Sequence, residues 1–311
     1  METYDYIVVG GGSGGIASAN RAGMHGAKVL LIEANEVGGT CVNVGCVPKK
    51  VMWQASDIYQ TVQRDAPSYG LQVKDKTFDF KTLVKNRRDY IDFLHGAYKR
   101  GFDNNGVELL KGYAQFIDGH TVEVDGKQYT APHILIATGG HATILDVPGG
   151  EYAIDSDDFF DLEEAPQHMI VLGGGYIAAE LAGVINGLGS KVSWAFRNER
   201  PLRKFDAMLA DNLVQEYEEE GISIYKESIP SAIDKNGKQY TVSFENGEKI
   251  TGDCVLFAGG RKTNVQGFGL GNTEVKLDER GFIQVDKFQN TTADGIYAIG
   301  DVIGKLELTP V

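Results

Sequence analysis

Two cysteines five positions apart, Cys41 and Cys46, lie in Gly38-Gly39-Thr40-Cys41-Val42-Asn43-Val44-Gly45-Cys46-Val47-Pro48-Lys49-Lys50. In a reducing compartment a close thiol pair is more often redox-active or metal-binding than structural. Five positions on a regular helix separate side chains by about 140° around the axis, so bridging the two thiols requires a distorted segment. Gly45 and Pro48 supply one. A disulfide also needs Cα atoms within about 7 Å. Zinc is disfavoured, because Cys254 is remote in sequence and His25, His95, His120, His133, His141 and His168 show no ligand spacing. No metal is expected. Two inert buried cysteines are the competing reading, at odds with so glycine-rich a setting.

A glycine loop precedes the pair. Gly10-x-Gly12-x-x-Gly15 follows the apolar run 6–9 and opens the helix-compatible stretch 16–22, and Glu33 ends the next apolar run at 29–32. Strand, loop, helix and acid in this register form a dinucleotide fingerprint. The first glycine allows the tight turn, the second lets a pyrophosphate approach the backbone, and the third lets helix and strand pack. Amides at the helix N-terminus face the anion, and Glu33 can accept from ribose hydroxyls.

The pattern recurs at Gly173-x-Gly175-x-x-Ala178, after the apolar run 169–172 and before a helix over 176–188. Here the next strand, 192–196, ends not in an acid but in Arg197, with Arg200 and Arg203 close behind. Guanidinium groups bind a 2′-phosphate through paired charge-assisted hydrogen bonds, so this second site favours NADPH over NADH. A merely solvated arginine loop is the alternative.

The elements that must hold these residues follow from hydropathy. Near-continuous apolar strands point to parallel sheets covered on both faces. The spacing predicts helices over 47–64 and 80–100, short strands between 107 and 130, buried strands at 133–137 and 254–258, a further strand at 282–285, and a strand-end turn at Gly300-Asp301. The fold class is α/β with two Rossmann-type dinucleotide-binding domains. The first is discontinuous, 1–141 with 261–311, and the second is 142–260. At roughly 150 residues per domain, 311 residues suit that division. Forty glycines beside eight prolines read as local devices rather than as a collagen-like or disordered composition. A net charge of −13 disfavours nucleic acid as a partner. No apolar run reaches the roughly 18 residues of a membrane span, and the start carries neither a signal nor a transit pattern. No membrane partner is expected, and the expected location is cytoplasmic.

A disulfide beside one dinucleotide site, with an NADPH site in the same chain, implies a two-electron relay through a flavin. The segment from Gly38 to Trp53 resembles the redox-active segment of the flavin-dependent disulfide reductases, in particular their glutathione-reducing branch, and the likeness runs along the whole chain. The resemblance implies FAD held by Gly10, Gly12, Ser13, Gly14, Gly15, Glu33, Gly39, Thr40, Thr138, Gly139, Asp301 and Thr309. It implies NADPH held by Gly173, Gly175, Ile177, Glu180, Arg197, Arg203 and Gly260. Cys41 resembles the interchange thiol and Cys46 the thiol that exchanges electrons with the flavin. Lys49 and Glu180 match an ion pair at the flavin ring, and Tyr176 matches a tyrosine covering the nicotinamide pocket. Ser13, Tyr90 and Tyr98 fall where the family contacts oxidised glutathione, the implied substrate.

Two departures qualify the likeness. Asn20 replaces an arginine that some members use for a glutathione carboxylate. Members also continue into a dimerisation domain whose His-Glu pair protonates the leaving thiolate, whereas no histidine follows His168 here. General acid catalysis is worth about 10² to 10⁴ in rate. The resemblance therefore implies a C-terminally truncated form of a homodimeric parent, lacking the dimer domain and not by itself a normal reductase. Alternatives are a reductase of another small thiol or of lipoamide, against which Arg197 counts, and a catalytically silent FAD- and NADPH-binding fragment. Ala17 and Asn20 supply no acid for a cationic substrate.

Overall fold

The structure is a computed structural model and describes residues 2–74 and 77–309. After a short strand at Glu2–Thr3 come β1 (Tyr6–Val9), α1 (Ser13–Met24), β2 (Val29–Glu33) and α2 (Gly39–Asn43). There follow α3 (Cys46–Gln60), α4 (Phe80–Asn105), β3 (Val107–Lys111) and β4 (His133–Ile136). The next four are β5 (His168–Leu172), α5 (Tyr176–Gly187), β6 (Lys191–Ala195) and α6 (Ala207–Glu219), and the last three are β7 (Ser223–Tyr225), β8 (Cys254–Phe257) and β9 (Ile296–Ala298). No described helix is long and apolar enough to cross a membrane.

The chain divides into two compact units, one of residues 1–43, 90–141 and 262–311, the other of residues 44–89 and 142–261. In the first, five strands form a parallel sheet in the order β9-β4-β1-β2-β3. Ile7 and Val9 of β1 enter a core with Leu30, Ile32, Ile134 and Ile136, while Val8 enters another with Ile16, Ala19, Leu31 and Phe102. Alternate residues of one strand are thus buried on opposite faces, which is why β1 and β2 read as unbroken apolar runs. Each side chain so buried contributes about 1.5–3 kcal/mol. A second sheet pairs Glu2–Thr3, Lys127–Thr130, Thr121–Val124 and Gln115–Phe116.

The second unit repeats the plan with four parallel strands in the order β7-β6-β5-β8. Met169, Val171, Val192 and Trp194 face α5, while Ile170, Leu172 and Val255 face a three-stranded antiparallel sheet through Ile233, Val242, Phe244 and Ile250.

Residues 44–89 lie in this second unit, whereas the sequence-based boundary groups them with the first. Packing gives the reason: Met52 of α3 and Phe80, Leu83 and Val84 of α4 share one core with Ala178, Leu181, Ala182 and Ile185 of α5. The expected helix over 47–64 is α3 followed by a π-turn at Thr61–Asp65. The expected strand at 282–285 does not form. Only an isolated bridge between Leu277 and Ile283 is present, because the Asp278 carboxylate accepts the amides of Arg280 and Phe282, at 2.9 Å each, and turns the chain there.

Candidate functional site

In a parallel sheet the chain leaves each strand at the same edge, so loops at the carboxyl ends converge there. In the first unit that edge carries Gly10 to Gly15 after β1, Glu33 at the end of β2, Thr138 and Gly139 after β4, and Asp301 after β9. Asp301 sits on a single 3₁₀ turn, Gly300–Ile303. Thr138 is fixed by Asn264: the threonine hydroxyl donates to the Asn264 carbonyl at 2.7 Å, and the Asn264 amide donates to the Thr138 carbonyl at 2.9 Å. Asn264 carries no signature by which sequence reading could have singled it out.

Gly10 adopts φ +109°, and a Cβ there would collide with the Ala137 carbonyl oxygen. In the second unit Gly173 adopts φ +142° and a Cβ would collide with the Ala258 carbonyl. Both first glycines are therefore required on two grounds, a positive φ and a neighbouring strand's backbone where a side chain would stand. The two loops are built alike down to that contact.

Helices α1 and α5 begin at Gly12 and Gly175 caps that offer no side-chain acceptor, and neither has an acid in its first turn. The ordinary helix α6 is instead capped by the Asp206 carboxylate, which accepts the Met208 amide at 2.8 Å. Two helix N-termini left without a side-chain acceptor, each behind a glycine cradle at a sheet's carboxyl edge, fit the pyrophosphate of a dinucleotide.

Glu33 holds the loop as well as facing it. One carboxylate oxygen accepts the Gly11 amide at 2.5 Å and the other accepts the Asn35 amide at 2.7 Å. Further lone pairs are left for ribose hydroxyls, since an ionised carboxylate has about four acceptor sites.

The cysteine segment departs from a regular helix at the expected place. Cys41 lies on the five-residue α2, Cys46 is the first residue of α3, and Val44 and Gly45 between them are not helical. Cys41 is half-buried and Cys46 exposed. The start of α2 is seated on the glycine loop: the Gly38 amide donates to the Gly11 carbonyl at 2.8 Å. A Cβ on Gly39 would stand 2.8 Å from the Gly12 Cα.

Ser13 and Thr309 bring their hydroxyls to 3.4 Å, and Gly14 and Gly15 form the first turn of α1. Gly39 and Thr40 open α2. On α4, burial raises the pKa of the Tyr98 hydroxyl, and negative charge on Cys41 adds to the effect. Tyr90 is exposed and stacks on Phe93 with ring centroids 6.4 Å apart. Asn20 spends its amide inside the fold: it donates to the Ile16 carbonyl at 3.0 Å and accepts from Asn105 at 2.8 Å.

In the second unit Lys49 of α3 donates to Glu180 of α5 at 2.6 Å, with side chains 20% and 44% exposed. Tyr176 and Ile177, both half-buried, form the first turn of α5 beside Gly175. Gly260 follows β8 at the carboxyl edge. Arg197 lies just past β6, and both it and Arg203 are exposed. Arg200 is engaged elsewhere, forking onto Asp211 of α6 with bonds of 2.5 and 2.9 Å. Eleven residues separate the two, so no short motif announces the pair.

Residues 4–311 match the profile of the pyridine nucleotide-disulphide oxidoreductases. A glutathione reductase from Yarrowia lipolytica is 44% identical over 326 residues, covering 99% of this chain and 69% of that protein. Among solved structures, the Cu(II) complex of the HOCl-induced flavoprotein disulfide reductase RclA from Escherichia coli superposes with a TM-score of 0.89 at 28% identity. That match covers 100% of this chain and 68% of the other. The chain belongs to the pyridine nucleotide-disulphide oxidoreductase family.

Proposed function

We propose that the chain binds FAD and NADPH and carries the redox pair, Cys41 and Cys46, of a reductase of oxidised glutathione. The observation that carries the reading is the seating of α2: the turn bearing Cys41 is bonded to the first glycine loop through Gly38 and Gly11. A thiol so placed stands beside whatever that loop holds.

FAD would be held by the Gly10–Gly15 loop, Glu33, Gly39, Thr40, Thr138, Gly139, Asp301 and Thr309, which fit an adenosine, a pyrophosphate and a ribityl chain along one sheet edge. NADPH would be held by Gly173, Gly175, Ile177, Glu180, Gly260, Arg197 and Arg203, with the two exposed guanidiniums taking the 2′-phosphate. FAD bound there would supply the two-electron chemistry that links NADPH to the cysteine pair.

The chain's own residues perform the thiol chemistry. The Cys41 thiolate attacks one sulfur of the glutathione disulfide, forming a mixed disulfide and releasing one glutathione thiolate, which takes a proton. The Cys46 thiolate then attacks the Cys41 sulfur, releasing the second glutathione and leaving a Cys41–Cys46 disulfide. Two electrons leave the pair and two thiols form. Tyr90, Tyr98 and Ser13 would contact the peptide, Lys49 with Glu180 would place a charged pair at the flavin, and Tyr176 would cover the nicotinamide site. Arg197 favours this reading over a lipoamide reductase, whose NAD site would want an acid at that strand end.

The test is anaerobic addition of NADPH to the FAD-loaded chain, followed by thiol counting and a turnover assay on oxidised glutathione, lipoamide and a polyamine-conjugated disulfide. Two new thiols mapping to Cys41 and Cys46, absent in Cys46→Ser, and preference for glutathione are expected. Failure of NADPH to open the pair, or faster turnover of lipoamide, would overturn the reading.

A further inference from the structure

The turn that carries Cys41 is held at two places of different kinds, and the sequence announces one of them. The first is the seating of Gly38 and Gly39 on the glycine loop. The second is Asn43, the last residue of α2, whose side-chain amide donates toward three carbonyls: Gly39 at 2.9 Å, Glu36 at 3.2 Å and Val37 at 3.3 Å. Carbonyls only accept, so the amide nitrogen must face them and the amide oxygen must face away. It faces His95, whose Nε2 lies 2.7 Å from Asn43 Oδ1. An amide oxygen cannot donate, so Nε2 carries the hydrogen in this pair, whatever the charge of the ring.

His95 sits on α4 with its side chain 22% exposed, and its Nδ1 is 3.9 Å from Asp92. The other charges facing it are Glu36, whose carboxyl is held low first by Lys111 and to a smaller extent by His95, and Lys111 itself, 2.6 Å from Glu36. Tyr98, whose hydroxyl responds to charge on Cys41, lies three residues further along α4, on the same face. One face of one helix thus carries His95 at Asn43 and, one turn further on, Tyr98, whose hydroxyl senses charge on Cys41.

We propose that His95 is a positioning residue for Cys41 that acts through Asn43: its Nε2–H fixes the amide whose nitrogen ties the 36–39 carbonyls into the α2 turn. The proposal deepens the reading of Cys41 as the attacking thiol and rests on it. Without His95 the Asn43 amide rotates, the turn opens more often, and the half-buried Cys41 meets solvent more often.

The test is the alkylation rate of Cys41 by iodoacetamide at neutral pH, resolved from that of Cys46 by peptide mass spectrometry, on the full chain with neither nucleotide nor disulfide present. His95→Leu should raise the Cys41 rate about three- to tenfold, the range set by loss of one hydrogen bond. His95→Gln, which restores a donor, should return it to within about twofold of the native rate. Asn43→Ala should match or exceed His95→Leu, and the double variant should react no faster than Asn43→Ala, because one residue acts through the other. An unchanged rate in His95→Leu, no rescue by His95→Gln, or additive effects in the double variant would each overturn the proposal. His95→Ala carries the same comparison should the leucine variant fail to fold. Because the assay contains no NADPH and no glutathione, failure of the proposed function leaves its outcome untouched.

Discussion

Gly39 lies so close to Gly12 that a Cβ added to it would stand 2.8 Å from the Gly12 Cα, and Gly39 holds φ +57°. The cysteine-bearing turn and the dinucleotide loop therefore share a backbone-to-backbone contact that no side chain can enter. Gly39→Ala should disturb both the turn and the loop. The left-handed backbone alone costs about 1–2 kcal/mol for a residue with a Cβ, and the clash adds to it. The expected result is a chain that folds yet retains FAD poorly, with a dissociation constant raised about tenfold or more for that free-energy cost. The ratio of flavin to protein absorbance after gel filtration checks it.

Lys49 and Glu180 meet at 2.6 Å with Glu180 substantially exposed, so the pair contributes little to stability, about 0–1 kcal/mol. Lys49→Met should leave the unfolding midpoint nearly unchanged. Its effect should fall on the rate at which NADPH reduces the bound flavin, slowed about tenfold if an ammonium worth ~1.4 kcal/mol at the ring is removed. Stopped-flow reduction measures that rate, and an equal rate in the variant would assign the pair a purely structural role.

Selectivity at the second loop should separate three neighbouring arginines. Arg197→Ala and Arg203→Ala should each weaken NADPH binding about ten- to hundredfold, the loss of one charge-assisted contact worth ~1.5–3 kcal/mol, and leave NADH binding unchanged. Arg200→Ala should weaken NADPH only slightly, because Arg200 is committed to Asp211. Calorimetric titration with the two nucleotides distinguishes these outcomes. Equal losses for NADPH and NADH in Arg197→Ala would show that the guanidinium does not read the 2′-phosphate.

Much of this arrangement is legible in the sequence because its signals are local. Strand, glycine loop and helix adjoin one another at Gly10 and at Gly173, and the parallel topology that gathers Glu33, Thr138 and Asp301 at one edge follows from unbroken apolar strands. Side-chain contacts between distant segments are not legible. Asn43 and His95 meet across 52 residues and Thr138 and Asn264 across 126. Neither pair uses residue types that advertise a partner. The surroundings of segment 44–89 are hidden for a related reason: its apolar residues show that it is buried but not against which elements, and Met52 shares its core with α5. The turn at Asp278 works against the strand reading at 282–285 because its carboxylate takes the Phe282 amide that a ladder would need and, with the Arg280 amide, turns the chain just before it.

Cys254 completes the cysteine inventory, and its environment is opposite to that of the pair. It lies buried at the start of β8, where burial, and secondarily the Asp253 carboxylate, push the thiol from its ordinary 9.0 up to about 12. A thiol so held is neither nucleophilic nor accessible at physiological pH, so native-state alkylation should label Cys41 and Cys46 and spare Cys254 until the chain unfolds. The same shift links stability to pH. Below 9.0 the thiol is protonated in both folded and unfolded chains, and the stabilisation is fully present. Between 9.0 and about 12 only the unfolded chain releases the proton, so stability falls across that window. Once the folded thiol also ionises, near 12, no further loss follows from this group. Urea midpoints measured at rising alkaline pH should therefore drop for the native chain, and Cys254→Ala should show a shallower drop from a lower starting point, having lost some packing but also the proton linkage. Equal slopes in the two proteins would assign the alkaline loss to the buried tyrosines instead.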